Sequence, residues 1–275
     1  MRKLLNIEII KLANYTAFKV ILGLHLALFT LVVFVSSQID ISVPGFDTKN
    51  FFRFPHIWSY FSWIASWFNL LLAITIIMVT GNEFSFKTFR QHVIDGLERR
   101  DLLKGKLLVI FIVALYSFVL VFLSGLIYGL IYSTELSLAN IMMEIDRIFV
   151  YLLQAVSYMV VGLMLVVLLR STAFSIIIFI LLRFPLEPII RSFFGAEIRP
   201  FFPMKAIGQL TPFPEFLSIS SDNKFETIDG GNALTLSEIG LVSQGLPYYG
   251  QILIAIAYTV VFIFVIAAIL QKRSL

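Results

Sequence analysis

The sequence predicts an all-α polytopic membrane protein of six transmembrane helices, with both termini in the cytoplasm. Three observations carry that expectation. Six apolar stretches approach the ~20 residues needed to cross a hydrocarbon layer roughly 30 Å thick. The composition, 59% hydrophobic and 14% charged, holds far less charge than the roughly 25% of soluble domains. Lys and Arg crowd into the gaps on one side of the spans. With mean hydropathy at +0.93, the apolar surface exceeds what a soluble core absorbs, so lipid acts as solvent. The unbroken pattern reads as one membrane domain, 1–275.

The N-terminal segment, 1–17, sets Leu5, Ile9 and Leu12 at helical spacing, with Glu8 and Lys11 as an i,i+3 pair. Ile7 and Ile10 fall elsewhere, so this amphipathicity is weak. Span one is 18–35; its long flank and the following Ser36-Ser37-Gln38 do not fit a cleaved signal. Span two is 58–79 and span three 107–132. Span three holds Gly125 and Gly129, a GxxxG spacing that permits close helix approach and also recurs by chance. Span four is 148–169 and span six 248–270.

Span five is irregular. It is apolar only from Thr172 to Leu182, about 16 Å of helix, too short to cross. The chain must continue kinked or turn back as a re-entrant segment buried in protein. Arg183 and Glu187 follow at i,i+4 spacing. They pair with each other, line a pathway, or sit where Arg183 snorkels to the headgroups. Seven of the nine prolines fall between Pro185 and Pro247, so 184–247 is expected as an outer loop with short helices. Its polar part, 218–240, is the expected surface loop.

Orientation follows from charge. An inside N-terminus puts 13 of the 21 basic and 5 of the 17 acidic residues on the cytoplasmic side, leaving +8 there. The other 8 basic and 12 acidic residues leave −4 outside. That is the positive-inside pattern, and an even span count returns Lys272 and Arg273 to the cytoplasm. The net +4 therefore reports membrane orientation, with no nucleic-acid partner implied.

Catalysis finds no support. His25, His56 and His92 are the only histidines. They form no metal-binding pair and read as structural. There is no GxSxG motif, and no Walker A loop: Arg100 stands where the first glycine before Gly105-Lys106 would be. Zero cysteines exclude thiol catalysis and disulfides. The chain is read as a non-enzyme that binds no cofactor or metal.

The segment 81–106 between spans two and three is the informative one. Asn82 suits an N-cap and Glu83 a helix first turn. Phe86, Phe89 and Val93 then form an apolar stripe, with Lys87, Arg90 and Gln91 off it. Gly96 is placed to end that helix. Asp95 and Glu98 are placed to cap a second, running through Arg99, Arg100 and Lys104 into span three. Physical chemistry alone leaves two readings open, a lever held by a soluble partner and a helix resting on anionic headgroups.

The residues Glu83, Lys87-Thr88, Gly96-Leu-Glu-Arg99-Arg100 and Lys104-Gly105-Lys106, set between spans two and three of six, resemble the ABC-2-type permease family. Thr88, Arg99 and Gly105-Lys106 match the family's loop. Lys87 replaces its usual glycine, and Gly96 stands where proline is common. The motif covers about 25 residues, and the six-span topology covers the chain. The broken segment between spans five and six is also typical of the family.

The resemblance implies an amphipathic cytoplasmic coupling helix and a role in ATPase coupling for Glu83, Phe84, Phe86, Lys87, Thr88, Phe89, Arg90, Gly96, Arg99 and Arg100. It implies an N-terminal interface with Lys3, Leu5, Glu8 and Lys11. It further implies a permease subunit in the plasma (inner) membrane, working as a dimer with an identical or paralogous copy. ATP and Mg belong to a separate ATP-binding subunit. Two readings compete with an exporter: a permease-like scaffold that transmits force without cargo, and an ion- or proton-coupled secondary transporter. The second lacks the paired acids within spans that such coupling uses.

Overall fold

The computed structural model describes residues 2–43, 46–86, 88, 91, 98–134, 136–195, 197–212, 224–225, 234–235 and 246–272. Side chains are described at these positions except 2–7, 42–43, 46, 224–225 and 234–235. Apolar runs in lipid must satisfy their backbone internally, and here they do so as helices. Helix α1 (Arg2–Asn14) turns at Tyr15 into α2 (Thr16–Gln38). A two-residue antiparallel pair, β1 (Ser42–Val43) with β2 (Phe46–Asp47), and a 3₁₀ turn at Thr48–Phe52 lead into α3 (Ile57–Trp67) and α4 (Asn69–Ser85).

Helix α5 (Arg99–Tyr132) is followed by the short α6 (Leu138–Met142) and by α7 (Asp146–Leu169). Arg170, in the left-handed region at φ 53°, ends α7 and starts the turn into α8 (Thr172–Leu181). A π turn at Leu182–Leu186 joins α8 to α9 (Glu187–Ser192). The chain then returns through a 3₁₀ turn at Arg199–Phe201 and α10 (Pro203–Gly208). Lys224–Phe225 pairs antiparallel with Leu234–Thr235 before α11 (Tyr248–Lys272).

Five helices are long and apolar enough to cross a membrane, and the α3–α4 pair makes a sixth if counted as one span. The chain is a multi-pass, all-α membrane protein. Helix α7 is its axis, packed against α3, α4, α5, α8, α10 and α11. In the α6–α7 span 67% of the most apolar window is buried, against 17% for α2 and α11. Those outer helices show Leu31, Phe34, Leu253 and Phe264 on exposed faces, the lipid-facing surface a membrane protein requires.

The GxxxG spacing in α5 serves packing within the chain. A Cβ at Gly125 would come within 2.8 Å of the Trp58 ring, and one at Gly129 would collide with the Phe54 ring. Trp58 is fully buried, stacks on Phe122 at 5.8 Å and donates its indole N–H to the Ile141 carbonyl at 2.8 Å.

Span two differs from its sequence reading, and span five takes the first of its two alternatives, a continued helix. Span two is not one straight helix: α3 and α4 meet at 44° across Phe68. Asn69, fully buried at the break, donates to Gln154 Oε1 of α7 at 3.0 Å. A polar amide inside an apolar run needs a partner, and the bend delivers it to one. Span five is not stopped at Leu182. Pro185 removes a backbone donor, the π turn absorbs the defect, and the helix runs on to Ser192. The return segment then enters the bundle, with Ala206, Ile207 and Leu210 buried. Of the expected surface loop at 218–240, only 224–225 and 234–235 lie within the described residues.

Candidate functional site

At the end of the bundle that the charge count assigns to the cytoplasm, three chain segments distant in sequence converge. Glu8 comes from the middle of α1, Glu83 from the last turn of α4, and Lys106 from the third turn of α5. Lys106 Nζ donates to both carboxylate oxygens of Glu8, at 3.2 and 3.0 Å, and to Glu83 Oε1 at 2.7 Å. Lys11 Nζ approaches the same Glu83 oxygen at 3.1 Å and Glu8 Oε1 at 3.5 Å. Glu8, Glu83 and Lys106 are buried. Among the described contacts two carboxylates and two ammonium groups thus meet in a cluster that is buried except at Lys11, where loss of one partner strands the others.

Local sequence explains how these charges meet. Gly105 precedes Lys106, and a Cβ there would stand 3.3 Å from Glu8 Oε1, so the small residue admits the carboxylate against α5. Glu8 and Leu12 share the inward face of α1, whereas Ile9 and Ile10 are exposed. The expected Leu5–Ile9–Leu12 stripe is therefore not the packing face at Ile9. The charged pair and Leu12 turn inward instead, because Lys106 gives Glu8 a partner that lipid cannot. The side chains of Lys3 and Leu5 lie outside the described residues.

The expected start of a coupling helix is also corrected. Asn82 and Glu83 close α4 and do not open a new helix. Asn82 Nδ2 donates to the Tyr15 hydroxyl oxygen at 2.6 Å, and the Thr88 hydroxyl donates to the Glu83 carbonyl at 3.2 Å. Phe84 is half-buried and Phe86 is 76% exposed. Lys87, Phe89, Arg90 and Gly96 lie outside the described residues, as do Asp95 and Val93. Glu98 occupies the N-cap of α5 with no side-chain cap bond. Arg99 donates to the Leu270 and Gln271 carbonyls at 3.0 and 2.8 Å. It thereby caps the C-terminal end of α11. Arg100 is exposed. Beside the cluster lies an apolar cleft of about 310 Å³, bounded by Leu12, Tyr15, Val79, Asn82, Phe86 and Thr88.

A second charged region lies in the other half of the bundle. Arg183 and Glu187 do not pair with each other. The π turn between them breaks the α-helical register that i,i+4 contact requires. The Arg183 guanidinium instead lies over the Tyr158 ring, 4.3 Å from its centroid. Glu187 is buried and accepts from the Met204 and Lys205 backbone N–H groups at 2.9 and 2.6 Å. Its carboxylate thus fastens the return segment to α9. Nearby, Gln154 donates to the Ile207 and Gly208 carbonyls at 3.0 and 3.3 Å. The Thr211 hydroxyl donates to Gln154 Oε1 at 3.0 Å. A buried glutamine inside span four was the signal for this anchor, and sequence reasoning passed over it.

Among the described residues no group of His, Asp and Glu is arranged to hold a metal ion. His25 is buried between the Phe68 and Tyr116 rings, 6.2 and 5.7 Å away. The chain matches no protein-family model and no curated protein.

Proposed function

We propose that the chain is the transmembrane permease subunit of an ATP-binding-cassette exporter in the plasma membrane. Its partners on this reading are a separate ATP-binding subunit, which holds ATP and Mg, and a second permease copy or paralogue. The observation that carries the reading is the buried Glu8–Lys106–Glu83–Lys11 cluster. It locks α1 to both flanks of the 81–106 segment. A push on that segment or on α1 would then pass into α4 and α5 together, since a rigid ionic junction moves as one body. The neighbouring cleft, with Phe86 exposed at its rim, offers an apolar foothold for the subunit that pushes. Resemblance of 81–106 to the ABC-2-type loop supports the same assignment.

The test is purification of the tagged chain from its native membranes in mild detergent. An ATP-binding-cassette ATPase should co-elute in near-stoichiometric amount. Phe86→Asp, which leaves the ion cluster intact, should strip it away while membrane insertion persists. If no such ATPase co-elutes with the unaltered chain, the reading is wrong. If Phe86→Asp leaves association and ATPase activity unchanged, the docking surface lies elsewhere and the cluster loses its coupling role.

A further inference from the structure

Between α3, α7, α9 and the return segment lies a cavity of about 540 Å³, within the ~300–1,000 Å³ usual for small-molecule sites. Three cations line it: Arg183, Arg191 and Lys205. Among the described residues none of the three makes an ion pair. The Arg191 charge reaches both Lys205 and Glu187. Among the described residues Glu187 is the one acid on the wall, and it accepts from the backbone N–H groups of Met204 and Lys205. The described wall therefore carries a surplus of two positive charges.

Depth makes the Arg183 charge costly. Arg183 lies 11 residues from the start of α8 at Thr172, and Tyr158 beneath it lies 11 residues from the end of α7 at Leu169. Both counts place the pair about 16 Å from the same end of the bundle, near mid-membrane. A charge at the level of Arg183 is rare and is a default pointer to a ligand or a pathway. Arg191, 19 residues from Thr172, lies about 28 Å along the same helix, towards the opposite headgroup level. The cavity also reaches the lipid-facing surface. Trp67 and Phe184 on its wall are 63% and 57% exposed. An occupant thus meets cations within and apolar rings at the lip.

We infer that this cavity binds the phosphate of an anionic amphiphile, its headgroup among Arg183, Arg191 and Lys205 and its tail against Trp67 and Phe184. Arginine suits phosphate through its planar fork of donors, and lysine adds a point charge. A zwitterionic choline headgroup brings a cation of its own into a positive site and is disfavoured. The inference goes beyond the exporter assignment and stands whether or not an ATPase partner exists.

The chain reports on the site itself. Of its three tryptophans, Trp63 and Trp67 line the cavity, and Trp58 is buried against Phe122. The purified full chain is reconstituted in phosphatidylcholine nanodiscs, and tryptophan quenching is titrated with tail-brominated phosphatidylglycerol or tail-brominated phosphatidylcholine. Phosphatidylglycerol should reach half-quenching at a mole fraction about tenfold lower, the worth of one charge-assisted hydrogen bond.

Arg191→Gln with Lys205→Gln should erase that preference. Arg191→Lys with Lys205→Arg, which folds under the same constraints and keeps the charge, should retain most of it. Millimolar glycerol phosphate decides the source. If the preference resists it, the occupant is a lipid headgroup. If it removes the preference, the phosphate site stands and a soluble phosphate ester fills it. Equal quenching by the two lipids, or a preference that survives the double glutamine change, overturns the inference.

Discussion

Two groups of charges lie inside this bundle, and they are built on opposite principles. At one end Glu8, Lys11, Glu83 and Lys106 balance in number and touch one another at 2.7–3.5 Å. In the other half Arg183, Arg191 and Lys205 outnumber Glu187, whose carboxylate is engaged by backbone. A balanced cluster supplies its own counter-charges, so the large cost falls on losing one partner, and that ties the cluster to the scaffold. An unbalanced set in the membrane is completed only by something from outside. Pairing, more than burial, separates the structural charges of this protein from those that await a ligand.

The comparison breaks first at Lys106. Lys106→Met strands Glu8 and leaves Lys11 alone to serve two carboxylates. The expected cost is about 3–5 kcal/mol, that of breaking a buried ion pair, read from denaturant or thermal unfolding in detergent. Adding Glu8→Gln restores the balance of Glu83 with Lys11 and should recover a large part of the loss. If Lys106→Met costs less than about 1 kcal/mol, the value of an exposed pair, the cluster does not hold α1 to the bundle.

Gln154 tests whether neutral polar anchors behave like the paired charges. Gln154→Leu leaves the buried Asn69 amide without its acceptor and the Ile207 and Gly208 carbonyls without their donor. A loss of about 2 kcal/mol follows from unsatisfied buried groups. Hydrogen exchange should rise at 203–212 and stay unchanged in α1. The opposite distribution would show that the return segment is held by its apolar contacts alone.

Spans one, two, three, four and six were legible because each is a long apolar run and the bilayer fixes its length. The break at Phe68 was not, because bending depends on where Gln154 lies in another helix. Each member of the ion cluster was visible singly: Glu8 and Lys11 as a local pair, Glu83 as a first-turn acid, Lys106 as part of the Gly105-Lys106 match just before span three. Their meeting was not, since Lys106 and Glu8 stand 98 positions apart and no local rule joins them. Of the options for Arg183 and Glu187, the pairing one fell for a different reason. Their spacing implies contact only in an α-helix, and Pro185 puts a π turn there.

The smallest expected effect is the one that separates the two groups most sharply. Arg191 is partly exposed and makes no ion pair among the described residues, although the Glu187 charge reaches it. Arg191→Gln removes one of three like charges, so relief of repulsion offsets the lost packing of its stem. In neutral detergent or phosphatidylcholine its stability should lie within about 0.5 kcal/mol of the unaltered chain, where Lys106→Met is ruinous. Phosphatidylglycerol should change the order. A ligand that binds only the folded state stabilises it by mass action, so the unaltered chain should gain in unfolding midpoint and Arg191→Gln should gain less. A large loss for Arg191→Gln already in phosphatidylcholine would mean that Arg191 has a structural partner and that the cavity is as self-contained as the cluster. Equal gains for both proteins in phosphatidylglycerol would mean that the added lipid acts at the general surface, and the surplus charge would then be solvated by water and not by a headgroup.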